Sequence, residues 1–416
     1  MAAPLRDASI GGAMTPTQKP LHVVIAGAGV AGLEAALALQ ALAEEKVSVE
    51  LVAPEADFTY RPLAVTEAFR VGEMKRFPLQ TLCAAAGARL RRGSLATVDA
   101  EQKVVTLDDG QELAYDMLLL ALGASPHEAV VGALTFRGPQ DSAALSALLD
   151  QTAAGEIHRI AFAVPTGASW PLPLYELALL TAAYAVDRGT RGVEILFFTP
   201  EDHPLSLFGP KASDAISELL AARGVQVEAD GCDGRFEAGA LTIVPERRID
   251  VDAVVALPQL EGPRLSGVPH DDRGFVPTDK YGGVLGLSDV YAAGDLTQFA
   301  LKQGGTATQQ ADAAATSIAA DAGAAVEPEP FSPVLRGLLL TGFVPRFVRA
   351  EATGAHSVID TEPLWWPPAK IVGRYLTPFL AAKFDLAETV VGPLSEGAIP
   401  IEVELGASSR PTWSRI

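Results

Sequence analysis

A short apolar strand running straight into closely spaced glycines is the feature that most narrows what this chain can become. Residues 21–35 read LHVVIAGAGVAGLEA: a strand pattern, glycines at 27, 29 and 32, then an alanine- and leucine-rich helical stretch to about Glu45. Each glycine has its own reason. Gly27 makes the tight turn, Gly29 lets backbone amides approach a diphosphate, and Gly32 lets helix and strand pack closely. The helix start then faces the anion. Alone, this spacing also suits a loop shaped only by packing, so its surroundings decide. A second strand, VSVELVAP from Val47, follows at the distance of a βαβ unit. The place where an acidic side chain usually grips ribose hydroxyls holds Ala53. Glu55, just past Pro54, is the ribose candidate, while Glu50 within the strand reads as facing solvent.

Composition excludes several classes. With 416 residues, 49% of them hydrophobic, the chain has material for two or three domains and needs no disulfide or metal staple. A net charge of −19 repels phosphate backbones, so no nucleic-acid partner is expected. Cys83 and Cys232 form no CxxC or finger-like spacing, which leaves neither a disulfide framework nor a metal site and fits a reducing cytoplasm. Cys83 reads as a buried helix residue and Cys232 as part of a glycine-rich loop. No apolar run is long enough to span a bilayer, and MLLLALGA from Met117 suits a buried strand. Residues 1–20 lack a continuous apolar core and read as a loose tail.

Two later turns belong with the first. The strand DMLLLALGASP closes at Gly123, and SDVYAAGDLTQF ends another strand at Gly294 and Asp295. In this order and at these separations the three turns resemble the FAD domain of flavoproteins with two dinucleotide-binding domains, the pyridine nucleotide-disulfide oxidoreductase superfamily. The resemblance implies that Asp295 hydrogen-bonds the ribityl chain of FAD and that Gly294 approaches its pyrophosphate. It also implies that the start of the helix after KQGGTATQQ lies against the flavin, making Lys302, Gln303 and Gly304 contacts that stabilise negative charge on reduced flavin. Without the Gly-Asp turn, Lys302 would read as a solvated lysine ahead of a helix. FTYRPLAV, from Phe58, resembles the flavin-lining segment of sulfide:quinone oxidoreductases and type II NADH dehydrogenases, which makes Arg61 and Pro62 cofactor contacts; Tyr60 also suits the core.

From Arg159 the βαβ plan begins again with RIAFAVPTGASWPLPLYELALL, then VEILFFTPEDHP. A nicotinamide site would need a second glycine-rich loop, but this one offers Gly167 among Pro165, Pro171 and Pro173, which have no amide hydrogen to donate. The cradle is missing. GASWPLPLYE resembles the loop of sulfide:quinone oxidoreductases in which a catalytic cysteine follows the Gly-Ala-Ser, and Trp170 occupies that place. An indole cannot replace a nucleophilic thiolate, so sulfide chemistry of that kind is expected to be lost. Glu176, after Tyr175 at the start of the next helix, is the candidate proton donor to a reduced quinone; its plain alternative is a first-turn acid placed against the helix dipole.

Beyond the Glu-Pro-Glu-Pro stretch at 327–330, PVLRGLLLTGFVPRFVRAE reads as strands with a turn and PLWWPPAKIVGRYLTPFLAAKF as partly helical. Between Phe331 and Phe384, six basic residues face three acidic ones, reversing the balance of the whole chain. Aromatics beside basic residues suit peripheral docking on the inner face of a membrane, while Trp365 and Trp366 equally suit a cover for the flavin or a homodimer contact. The expected architecture is α/β. It comprises a discontinuous FAD domain (21–150 and 275–330), a degenerate NAD(P)-type domain (151–274) and a C-terminal cap (331–416). The expected activity passes two electrons through FAD to a quinone or other small-molecule acceptor. NAD(P)H:acceptor oxidoreduction and a flavin-binding sensor without turnover are the alternatives.

Overall fold

The computed structural model describes residues 19–229, 234–243, 247–351 and 357–384. Two halves repeat one plan. In the first, five parallel strands lie in the order Val290–Ala292, Met117–Leu120, Leu21–Ala26, Val47–Ala53 and Arg89–Arg92. The central strands are near-continuous runs of Val, Ile, Leu and Ala because both faces of the sheet are covered. Val23 and Ile25 pack under the helices Val30–Ala43 and Gly304–Asp321, whereas Val24 and Ala26 pack against the antiparallel sheet of Leu95–Asp99, Val104–Leu107 and Glu112–Ala114.

The second half has five parallel strands in the order Leu134–Thr135, Ala253–Ala256, Arg159–Ala163, Glu194–Phe198 and Val225–Glu228. Ile160 and Phe162 face the helices Ser142–Ala153, Leu172–Asp187 and Pro210–Ala222. Ala161 and Ala163 face another antiparallel sheet, through Leu241, Ile243 and Ile249. The helix-then-sheet covering is thus the same in both halves.

A two-stranded antiparallel ribbon, Ser125–His127 with Gln259–Glu261, joins them. The chain has entered the second sheet by Leu134, ahead of the expected boundary at 150, because Leu134 pairs with Val255. It is back on the first half before 275: Leu265 and Val268 pack with Val98 and Val105. The strands expected beyond residue 330 are Val334–Leu339 and Arg346–Glu351, extended by Ser357–Asp360, and their inner face joins the core of the second half. The last described helix, Leu376–Phe384, instead packs on the first half. The C-terminal segment therefore straps the two halves together. Residues 1–18, Cys232 and 385–416 lie outside the described residues.

Candidate active site

The first glycine turn has the geometry its sequence demands. Gly27 has φ +108°, and a Cβ there would lie 2.3 Å from the carbonyl oxygen of Ala121; a Cβ on Gly32 would lie 1.9 Å from the carbonyl oxygen of Gly27. Neither position admits a side chain. Gly29 caps the helix Val30–Ala43, which has no side-chain cap and no acid in its first turn, and the space around its α-carbon is open. First-turn amides facing open space form an anion site. Gly123, at φ +73°, likewise borders open space beyond its strand.

The distant Gly-Asp turn closes on the same place. Gly294 lies against Ala31 of the first helix and Ala307 of the Gly304–Asp321 helix, donates its amide to Gln310 Oε1 at 2.7 Å, and accepts through its carbonyl from Thr297 Oγ1 at 2.9 Å. Asp295, Lys302, Gln303, Gly304, Arg61 and Pro62 all line one cavity of about 290 Å³. Asp295 makes no hydrogen bond among the described residues. Burial pushes its carboxyl up in pKa, and Lys302 and Arg61 pull it back. Lys302 is not the solvated lysine of the simpler reading: it is 8% exposed, donates Nζ to the Thr297 carbonyl and sits 3.9 Å over the Phe275 ring. Burial lowers its pKa to about 8. Gln303 caps the helix by accepting from the Gly305 amide at 2.9 Å, which leaves its Nε2 buried without a partner among the described residues. An unanswered donor in a cavity wall is the mark of a site that expects a ligand.

Tyr60 belongs to the junction, fully covered, its hydroxyl accepting from the Ile371 amide at 2.8 Å. Glu55 is exposed in the turn after its strand and stands apart from this cavity. Glu50 does not face solvent as expected. It is 3% exposed and bound by Arg89 at 2.8 Å, by Arg91, and by His22 at 3.4 Å. The neighbouring strand Arg89–Arg92 brings the two arginines beside it, and they hold its carboxyl below the usual range.

Glu176 departs from the first-turn alternative. The helix starts at Leu172, so Glu176 is its fifth residue, fully buried, and its partners come from elsewhere. Lys370 Nζ approaches its two oxygens at 2.5 and 2.6 Å, and the Leu340 amide donates to Oε1 at 2.9 Å. Burial pushes Glu176 up in pKa and Lys370 down, each opposed by the other's charge. Both line the same cavity, as does Trp170, edge-on to Phe208 at 5.9 Å between centroids. Sequence reasoning missed Lys370, since no spacing rule ties position 370 to 176; its one signal is a lone lysine within the apolar run WWPPAKIV.

The second half offers little to a dinucleotide. Pro171 caps the Leu172–Asp187 helix, Pro173 lies in its first turn, and the Leu174 amide already donates to the Pro171 carbonyl at 2.9 Å. After the second strand of this half, where an acid would take a ribose, Glu201 accepts from Tyr175 at 2.8 Å and from Thr199 at 3.1 Å. Cys83 is buried in its helix, and burial raises its thiol to about 11. Among the described residues no group of three or more His, Cys, Asp and Glu side chains is arranged to hold a metal, and no helix is long and apolar enough to cross a membrane.

These features are similar to those of known proteins. The chain is 27% identical over 303 residues to apoptosis-inducing factor 3 of Mus musculus, a match covering 67% of this chain and 46% of that protein, so the chain spans about half the length of that relative. It is 26% identical over 296 residues to the ferredoxin–NAD(+) reductase component of a biphenyl dioxygenase system from Paraburkholderia xenovorans, covering 68% and 69%. Its fold is similar to that of the sulfide:quinone oxidoreductase from Aquifex aeolicus, with TM-score 0.74, 18% identity and coverage of 82% and 86%. It is also similar to a ferredoxin reductase from Rhodopseudomonas palustris, with TM-score 0.61, 17% identity and coverage of 79% and 81%. The profile of the pyridine nucleotide-disulphide oxidoreductases matches residues 21–311. The chain therefore belongs to the pyridine nucleotide-disulphide oxidoreductase family, whose members are FAD-dependent oxidoreductases.

Proposed function

We propose that this chain passes two electrons through FAD to a quinone or quinone-like small molecule, without the cysteine chemistry of sulfide oxidation. The observation that carries this reading is the buried Glu176–Lys370 pair, set in the wall of the cavity that Asp295, Lys302, Gln303 and Gly304 also line. Gly27, Gly29 and Gly32 would hold the diphosphate, Glu55 the adenosine ribose, and Gly294 and Asp295 the sugar-alcohol arm. Arg61, Pro62, Gly123, Gln303 and Gly304 would border the ring system. Bound FAD supplies two-electron redox chemistry. The residues around it govern charge and protons. Lys302, with a pKa near 8, would hold positive charge beside the ring system and stabilise its reduced form, and the unpartnered Gln303 Nε2 would be free to donate a hydrogen bond to it.

A quinone that accepts two electrons also takes up two protons. The buried Glu176–Lys370 pair shares one proton between carboxylate and amine, and that proton can pass to an acceptor oxygen in the cavity; the other would arrive with the electron pair or from solvent. Trp170 stands where sulfide oxidation would need a thiolate, and it leaves an apolar wall for a planar ring. Nicotinamide as donor is disfavoured by Pro171 and Pro173 at the helix start and by Glu201, whose carboxylate Tyr175 and Thr199 already occupy. Membrane contact, where it occurs, is peripheral and runs through residues 363–384, where Trp366 is 80% exposed. Equal recovery on liposomes with and without that segment would remove this part.

The test is single-turnover reoxidation of photoreduced, FAD-loaded protein by menadione without oxygen. The expected result is complete reoxidation, slowed about 10-fold or more in Glu176→Gln. Failure of the wild type to be reoxidised would overturn the proposal, whereas rapid bleaching of its oxidised flavin by NADH would favour the NAD(P)H:acceptor alternative and make nicotinamide the donor.

A further inference from the structure

The cavity wall carries more positive charge than its own acids answer. Lys370 is met by Glu176, and Arg137 by Asp141 at 2.8 Å. Lys302 and Arg61 both face Asp295. Arg336 remains. It lies on the strand Val334–Leu339, part-buried, and makes neither a hydrogen bond nor an ion pair among the described residues. Its partner directly across the antiparallel pair is Arg349, a second cation. Like charges placed opposite one another on a sheet are destabilising, and a part-buried guanidinium with no acceptor adds a desolvation cost. A structural role would supply a carboxylate; a binding role leaves the fork free for one. Next to Arg336 the wall is apolar: Leu338, Leu172, Phe136 and the half-buried Trp170 line the same space.

We propose that the molecule exchanging electrons in this cavity is a planar ring compound bearing a carboxylate or comparable anionic group, and that Arg336 binds that group. This rests on the quinone-type reading above and adds the substrate's charge to it. Apolar walls hold the ring, and the planar guanidinium gives a bidentate contact to the anion. In a chain of net charge −19, a locally cationic cavity is also what would draw a small anion inward against the overall field.

The experiment compares two acceptors on the photoreduced, FAD-loaded protein: neutral menadione and a naphthoquinone sulfonate. Arg336→Gln is expected to slow reoxidation by the sulfonate about 10-fold while leaving the menadione rate within about 2-fold, and Arg336→Lys to recover part of the loss. The affinity of oxidised protein for redox-inert naphthalene sulfonate, read from the flavin difference spectrum, should fall by a similar factor in Arg336→Gln. Equal slowing with both quinones, a shifted flavin potential in Arg336→Gln, or unchanged sulfonate binding would each overturn the proposal. Absence of menadione turnover in the wild type would instead sink the quinone reading, whereas the sulfonate binding comparison would still judge Arg336.

Discussion

Glu34 and Glu176 occupy the same place in the two halves of the molecule: each is the fifth residue of the helix that follows the glycine- or proline-bearing turn after a central strand. Both are fully buried, and both hold the C-terminal segment. Their answers differ. Glu176 meets a cation, Lys370, in a cavity wall. Glu34 accepts the amides of Tyr375 at 2.8 Å and Leu376 at 2.7 Å, capping the last described helix, and lies beside Asp312. The two acids crowd together, so burial and Glu34 raise Asp312 to about 8, with Arg374 as the opposing cation. One repeated position has become a proton-bearing pair facing a ligand space, the other a latch within the core.

Breaking the first pair should cost most. Lys370→Met leaves Glu176 buried without its counter-charge, and a loss of about 4 kcal/mol is expected in urea unfolding. The double change Lys370→Met with Glu176→Gln should regain most of it, because no charge then remains uncompensated. A single and a double variant of equal stability would show that the pair's charge is not what the core is built around.

At the latch, Glu34→Ala removes the acceptor of two amides, and a loss of about 2 to 3 kcal/mol is expected. Cleavage by a protease near residues 373–376 should become faster at the same time. If cleavage elsewhere rises equally, the glutamate supports the whole half rather than the strap.

The smallest effect concerns pH. Asp312 has a folded pKa above its unfolded one, so its contribution is fully present below about pH 4 and is lost as pH rises toward about 8. The wild type should therefore lose stability across that window, by on the order of 1 kcal/mol in all. Asp312→Asn should flatten the curve and stabilise at pH 7 by on the order of 1 kcal/mol. An unchanged slope in that variant would assign the pH dependence to other groups.

What could be read without the fold was what local geometry dictates. A strand, three glycines and a helix are legible because Gly27 and Gly32 stand where a β-carbon would collide with backbone within a few residues or on the adjacent strand. The late Gly-Asp turn was legible as part of a pattern, and it lies against Ala31 of the first helix. Charges were not legible. Glu50 is buried only because a strand some forty residues later carries Arg89 and Arg91 beside it, and Glu176 and Lys370 are separated by 194 positions. Such pairings are decided by which segments the sheets bring together. No periodicity in either segment encodes them.

The placement of the strand Val290–Ala292 has a consequence for how the molecule is made. It pairs with Met117–Leu120, yet some 170 residues, most of them belonging to the other half, are translated between them. At about 5 to 20 residues per second, the ribosome leaves that sheet with a bare edge for roughly ten to thirty seconds. The glycine turn and the Gly-Asp turn meet only after this interval, so a nascent chain cannot retain its cofactor until most of its length has emerged, and prematurely terminated chains would expose an unpaired strand instead of a yellow protein.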